Sequence, residues 1–272
     1  MNPKKRVACF FTGGYSELNA MKSFLKKAND KVDLIQLCPT GERRSKSQIM
    51  GRHTDNIHKN HSGLTGAALI DFILDFIKKK RFLDEEYDAI LIEDDKDARF
   101  LSLNSEGIAN IDHEAWDGYK NSIIDAIRAA GINVPVIVIL AAPEVEAWFL
   151  SDWDKSFGKV YADIFTREQN EYFSVMFRKY INQSILTAQY KDSIESYGFF
   201  DGEYKKLSEE IQKALENEDF FTHYKPGEPH FNPRYSKRIQ GEAMLEAIDP
   251  NQVVQHCTVF LRSGLLELQV LV

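Results

Sequence analysis

The stretch DAILIEDDKDARF, residues 88–100, joins a run of apolar residues directly to four carboxylates within five positions. The apolar part predicts a buried β-strand over residues 87–93. Carboxylates this close repel one another, and each raises the proton affinity of its neighbours. Such a group either lies in water as a loop or is neutralised by a cation.

The segments around this strand alternate between strand-like and helix-like patterns. Apolar runs predict three further strands, over residues 6–12, 31–38 and 134–142. Amphipathic spacing predicts three helices, over residues 17–28 after an N-cap at Ser16, over residues 65–82 and over residues 113–131. This alternation predicts an α/β fold in which helices flank a mostly parallel sheet. Ligands of such sheets bind beyond the carboxyl ends of the strands, where the acidic residues fall.

The pattern changes after residue 151 to runs rich in Glu, Lys, Phe and Tyr. Helices are predicted over residues 171–189, 201–217 and 250–268. We therefore predict an α/β domain over residues 1–150 and a mainly helical C-terminal subdomain over residues 151–272.

The composition favours a cytoplasmic protein that does not enter a membrane. Of the 272 residues, 43% are hydrophobic, and no apolar run approaches the roughly 20 residues that span a bilayer. The apolar segment near the N-terminus is too short for a secretory signal. Three scattered cysteines are typical of reduced core thiols. The net charge of −7 argues against a generally basic nucleic-acid surface, although a local basic patch is enough for phosphate contact.

Asp95 and Asp97 form the first candidate site. Residues two apart in an extended strand point to the same side, so both side chains would converge if the strand continued past Glu93. Carboxylate oxygens suit Mg²⁺ or Mn²⁺, and a metal so held orients a phosphate and activates water for phosphodiester cleavage. The alternative is a strand-ending turn whose aspartates accept hydrogen bonds from local backbone. The residues alone favour neither.

The stretch APEVEAWFLSDWD, residues 142–154, is the second candidate. Its proline predicts a helix start, with Glu144 and Glu146 in the first turn, where the helix dipole favours anions. The two glutamates would lie roughly 200° apart on an ideal helix, so at most one would face a metal. Trp148 and Trp153 are predicted to be core anchors.

These motifs resemble the bacterial Toprim-related family called domain of unknown function 4276. The resemblance rests on the strand order, on the strand-terminal Asp-x-Asp, on EVEAWFLSD (residues 144–152), on YSKRIQG (residues 235–241) and on CTVFLRSGLLEL (residues 257–268). It implies a Toprim-like fold and a nuclease whose Mg²⁺ or Mn²⁺ is held by the Asp-x-Asp pair and by a glutamate after the first strand. It also implies an ATPase partner of the kind found in phage-defence gene pairs.

The family pattern carries over unevenly. Asp95 and Asp97 match the Asp-x-Asp pair, and Lys237 matches the late lysine, which with Arg238 is expected to contact substrate phosphate. In GGYSE, residues 13–17, Gly13 stands where the family has its first glutamate, while Glu17 keeps the second acidic position. Either another glutamate replaces the missing one, with Glu17, Glu93 and Glu144 as candidates, or full activity is lost.

The resulting hypothesis is a divalent-metal-dependent nuclease or phosphodiesterase, with DNA rather than RNA as the expected nucleic acid; which of the two it prefers does not follow from the sequence. The expected metal ligands are Asp95, Asp97 and Glu17, and Glu144 and Glu146 join them as expected catalytic residues. A second hypothesis is a non-catalytic Toprim-like module that binds a partner ATPase or a nucleotide. A third is a scaffold whose acidic stretch is a solvated turn. The loop histidines His53, His58 and His61 are expected to be exposed rather than metal-bound.

Overall fold

The computed structural model describes residues 3–12, 16–39, 64–80, 86–162, 166–182, 194–200, 203–216 and 235–271. Within these ranges the chain has the predicted α/β class, with one four-stranded sheet whose strands are all parallel. The strands are β1 (Lys5–Phe11), β2 (Val32–Cys38), β3 (Ala89–Asp95) and β6 (Val136–Ala141), in the order β2-β1-β3-β6. This arrangement agrees with a Toprim-like, mostly parallel sheet.

Eleven α-helices are described, and none of them is both long and apolar enough to cross a bilayer. They are α1 (Glu17–Ala28), α2 (Gly66–Lys80), α3 (His113–Ala129), α4 (Glu146–Ser151), α5 (Phe157–Ala162), α6 (Arg167–Tyr172), α7 (Arg178–Tyr180), α8 (Leu207–Glu216), α9 (Glu242–Ala247), α10 (Pro250–Val253) and α11 (Phe260–Gln269). Two π-helical turns occur at Phe173–Phe177 and Lys237–Gly241, and a 3-10 turn occurs at Ile194–Ser196. Two small hairpins pair β4 (Leu101–Leu103) with β5 (Ala109–Ile111) and β7 (Phe199–Phe200) with β8 (Glu203–Tyr204).

The sheet is buried on both faces because successive residues of each strand point to opposite sides. Along β1, Val7 and Cys9 enter one core and Ala8 and Phe10 enter the other. Helices α2 and α3 cover the second face, while α1 covers the first together with C-terminal helices α9 and α11. Strands covered on both faces have near-continuous apolar sequences, as β3 and β6 do. The C-terminal helices thus complete a core that the sheet begins, while the boundary near residue 150 stays a prediction.

Trp148 anchors the first core, as its sequence context predicts. Its side chain is fully buried and stacks on Phe24 of α1, with ring centroids 5.1 Å apart. Trp153 is also buried and stacks on Phe157. The first contact joins α4 to α1, and the second packs the turn after α4 against α5.

The predicted helix over residues 250–268 is wrong in one respect, because the chain there forms two helices, α10 and α11. The second begins separately because Glu195, from a turn far away in sequence, accepts hydrogen bonds from the backbone N–H groups of Val259, Phe260 and Leu261. A carboxylate at this position satisfies donors that a helix start otherwise leaves unpaired. Ser16 precedes α1 as predicted, but its side chain makes no capping hydrogen bond.

Gly264 allows α11 to pack directly on β6. A Cβ atom added there would lie 2.5 Å from Ile139 Cγ1 and 2.8 Å from the Val138 carbonyl oxygen. We expect Gly264→Ala to lower the free energy of unfolding by about 1–3 kcal/mol, because it overpacks this contact. Chemical denaturation measures the change.

The matched control is Gly118→Ala on the exposed side of α3, where a Cβ would have no neighbour within 4 Å. This variant should be as stable as the wild type or gain up to about 1 kcal/mol from helix propensity. Equal stabilities of the two variants would contradict close packing at Gly264.

Candidate active site

The acidic residues gather where the strand order changes direction. From β1 the chain runs to β2 on one side, and from β2 it returns to β3 on the other side of β1. The crevice at the carboxyl ends of β1 and β3 is where parallel sheets of this kind bind ligands. Glu93 joins the two strand ends, since its Oε2 accepts hydrogen bonds from the Thr12 backbone N–H at 3.3 Å and the Thr12 hydroxyl at 3.2 Å.

Asp95 and Asp97 lie at this edge, but an extended strand does not connect them. Strand β3 ends at Asp95, and Asp97 has a left-handed backbone with φ of 49°. Backbone hydrogen bonds to the segment at the end of β6 nevertheless continue past β3. The Lys96 N–H donates to the Ala141 carbonyl oxygen at 2.8 Å, and the Asp97 N–H donates to the Pro143 carbonyl oxygen at 2.9 Å. These bonds hold Asp97 near enough for its charge to act on Asp95.

Glu144 and Glu146 both face the site, and the predicted separation on one helix is wrong. Helix α4 begins at Glu146 rather than at Pro143. Glu144 therefore lies before the helix, and the angle expected between two residues of one helix does not apply to this pair. The Lys237 ammonium lies between them, with Nζ 3.1 Å from Glu144 Oε1 and 3.1 Å from Glu146 Oε2. Both glutamates therefore share one cation.

Further partners of this pair come from the second half of the chain. Ser208 donates to Glu144 through its backbone N–H at 3.0 Å and through its hydroxyl at 3.0–3.1 Å. The Tyr235 hydroxyl donates to Glu146 Oε1 at 2.5 Å. Burial is the main cause of the raised pKa of Tyr204, and the nearby charges of Glu144, Asp97 and Asp95 raise it further. Segments far apart in sequence thus build one polar cluster.

Burial makes ionisation difficult at the strand ends. It raises the pKa of Glu17 from 4.5 to about 7, and it raises those of Glu93 and Asp95 well above their usual values, with the charge of Glu17 adding to both. Within the described residues, Glu17 Oε2, Glu93 Oε1 and Asp95 Oδ1 are buried oxygens without a hydrogen-bond partner. Such groups favour a bound cation, or else they hold a proton.

Glu144 and Glu146 respond to Lys237 in opposite directions. Burial raises the pKa of both carboxyls, but at Glu144 the Lys237 ammonium and the Ser208 hydrogen bonds outweigh it and lower the pKa. Glu146 is completely buried, and Lys237 with Tyr235 does not offset that burial, so its pKa is raised. Burial alone would lower the pKa of Lys237, but the two glutamates raise it, so the amine stays charged.

The residue types fit a divalent metal, but the described side chains are not arranged to coordinate one. Buried carboxylate oxygens are the donors that Mg²⁺ and Mn²⁺ prefer. In the parts of the chain that the structure describes, however, no three side chains of His, Cys, Asp or Glu are placed together to hold a metal ion. Asp95, Asp97 and Glu17 would hold it after side-chain movement. Gly13 and the histidines His53, His58 and His61 lie outside the described residues.

The structure brings together most of the residues that the sequence singles out. Six of these residues lie close enough for their charges to shift one another's pKa values: Glu17, Asp95, Asp97, Glu144, Glu146 and Lys237. Arg238 follows Lys237 in the same π-helical turn, and its side chain lies outside the described part. Sequence reasoning missed three residues, Tyr204, Ser208 and Tyr235. Only Tyr235 carried a signal, since it opens the YSKRIQG motif.

Comparisons with protein-family models, with curated proteins and with solved structures found no match to this chain. The resemblance to domain of unknown function 4276 therefore stays an expectation.

The raised pKa of Glu17 predicts how stability changes with pH in the metal-free protein. Folded Glu17 keeps its proton up to about pH 7, whereas in the unfolded chain it loses the proton near pH 4.5. The folded state is therefore destabilised as the pH rises through this window, by up to about 3 kcal/mol. Glu17→Gln cannot ionise, so its free energy of unfolding, measured in chelator between about pH 5 and 7.5, should fall less steeply.

The control for this prediction is Glu114→Gln on the exposed first turn of α3, which should keep the wild-type pH profile. If Glu17→Gln and the wild type lose stability equally over this range, Glu17 is not the buried acid described above.

Proposed function

We propose that this protein is a divalent-metal-dependent phosphodiesterase of the nuclease type, with Mg²⁺ or Mn²⁺ held by Asp95, Asp97 and Glu17. The observation that carries the proposal is the set of buried carboxylate oxygens without partners on Glu17, Glu93 and Asp95, at the edge where parallel sheets bind ligands. Burying ionised carboxylates without a compensating charge is costly, and a divalent cation removes that cost.

When bound, the metal would polarise a phosphoryl oxygen and lower the pKa of a water molecule. The residues of the chain would do the rest. Glu93, which accepts two hydrogen bonds from Thr12, would hold the ends of β1 and β3 together at the site. Glu146 has a raised pKa and a Tyr235 hydroxyl against it, so it suits proton transfer near neutral pH better than Glu144, whose pKa is lowered.

Substrate and partner follow from the resemblance and are proposed on that basis. DNA in preference to RNA is the proposed substrate, with Lys237 and Arg238 contacting its phosphates. An ATPase is the proposed partner protein, and the cytoplasm is the proposed compartment.

A second candidate is a non-catalytic Toprim-like module that binds a partner ATPase or a nucleotide. The observation that favours it is the Lys237 ammonium, which already forms an ion pair with both Glu144 and Glu146 without any metal. Such a module would form a complex that survives chelator and would turn over no substrate. Metal binding and cleavage assays therefore separate the two functions.

Replacing both aspartates tests the proposed function. Asp95→Asn with Asp97→Asn should abolish saturable Mn²⁺ binding in calorimetry. It should also lower cleavage of single- and double-stranded DNA by about 100-fold or more, since even residues that only orient metal ligands contribute about 10- to 100-fold. The side-chain volume is unchanged, so folding should persist in circular dichroism.

The control carries Asp117→Asn and Asp125→Asn, two exposed aspartates on α3, and should bind Mn²⁺ and cleave DNA as the wild type does. A double variant at Asp95 and Asp97 that cleaves as well as the wild type would remove the proposed mechanism.

A further inference from the structure

We propose that Lys237 is the built-in counter-ion of the acidic site, and that a divalent metal displaces its amine from Glu144 and Glu146. The inference rests on the proposed metal site and adds what stabilises its carboxylates in the metal-free protein. Two of the carboxylates nearest the strand ends are occupied by an ammonium group.

The Lys237 amine contacts carboxylate oxygens, which are also the ligands that a divalent cation prefers. Its Nζ lies 3.1 Å from one oxygen of each glutamate, and its charge also acts on Glu17 and Asp95. A single positive charge thus serves four acidic groups. A divalent cation carries twice that charge and accepts more oxygen ligands, so it competes for the same carboxylates.

The Lys237 side chain is partly exposed, so its amine can move from the glutamates into solvent. The Lys237 side chain is 32% exposed, whereas those of Glu144 and Glu146 are 4% and 0% exposed. The lysine therefore reaches the buried pair from the surface side, and its amine can withdraw into water without opening the core. Removing one partner of a buried ion pair is costly unless another charge takes its place, so withdrawal should accompany metal binding.

The backbone that carries Lys237 is fixed, so the movement belongs to the side chain. Lys237 begins a π-helical turn, Lys237–Gly241, and π-turns occur often at functional sites. The Gln240 side-chain oxygen accepts from the Ser236 N–H at 2.8 Å. Gly241 packs so closely on Ser16 that a Cβ there would clash with the serine side chain. The turn is therefore anchored to the residue before Glu17.

This arrangement reconciles two roles for one lysine. In the metal-free protein the amine forms ion pairs with Glu144 and Glu146. After displacement the amine would point into water from the anchored turn, where it could contact a substrate phosphate. The glutamates released at the same moment are free to complete the coordination or to carry a proton.

Amine labelling of the full chain tests displacement directly. With an amine-reactive acetylating reagent and mass spectrometry, Lys237 should react slowly in chelator and at least several-fold faster with saturating Mn²⁺. The exposed lysines Lys26 and Lys159 serve as references in the same sample and should react equally in both conditions. Equal labelling of Lys237 with and without bound Mn²⁺ would overturn displacement.

Two variants give an independent readout in Mn²⁺ affinity, measured by calorimetry. Lys237→Met removes the competing charge and should bind Mn²⁺ more tightly than the wild type. Lys237→Arg keeps the charge and can hold two carboxylates through its planar fork, so it should bind Mn²⁺ more weakly. The control is Lys155→Met, which removes a lysine paired with Asp249 and should leave the affinity unchanged.

The outcomes separate this inference from the proposed function. Mn²⁺ binding that depends on Asp95 and Asp97 but is the same in all Lys237 variants overturns displacement and leaves the metal site standing. Weaker binding in Lys237→Met than in Lys237→Arg also overturns it, since the lysine would then support the site. No Mn²⁺ binding to the wild type or to Lys237→Met overturns both proposals. If Lys237→Met fails to fold, the labelling of wild-type protein decides.

Discussion

The burial of several carboxylates at one edge of a parallel sheet, with one ammonium among them, is the constraint on which the site depends. Glu17, Glu93 and Glu146 are almost completely buried, and their charges cannot all be solvated. The molecule meets this constraint in two ways. Lys237 forms ion pairs with Glu144 and Glu146, while the raised pKa values at the strand ends leave the remaining acids ready to hold protons or a cation.

The fold supplies this constraint by bringing distant segments to the point where the strand order reverses. The carboxyl ends of β1 and β3 meet there, and the hydrogen bonds from Lys96 and Asp97 draw the start of the Glu144 segment alongside. The C-terminal half then closes the site from outside with Ser208, Tyr235 and Lys237. The helices that complete one core of the sheet therefore also supply the counter-charge.

Much of the sheet was predictable because buried parallel strands leave a plain apolar signature, and β3 and β6 have it. That Glu144 would come near Asp95 also followed from the strand ends, whereas the sequence allowed only one of Glu144 and Glu146 to face the site. The details did not follow, because they depend on contacts between segments far apart in sequence. The left-handed backbone at Asp97, the late start of α4 and the capping of α11 by Glu195 are each determined by tertiary hydrogen bonds. Ser208 and Tyr204 carried no signal at all, since neither belongs to a motif.

The most direct measurement is a crystal structure grown with Mn²⁺ and recorded at a wavelength that locates manganese by anomalous scattering. A manganese peak should lie in contact with carboxylate oxygens of Asp95 and Glu17, and the Lys237 amine should be withdrawn from Glu144 and Glu146. A structure with no manganese at the strand ends, and with Lys237 still between the two glutamates, would contradict it.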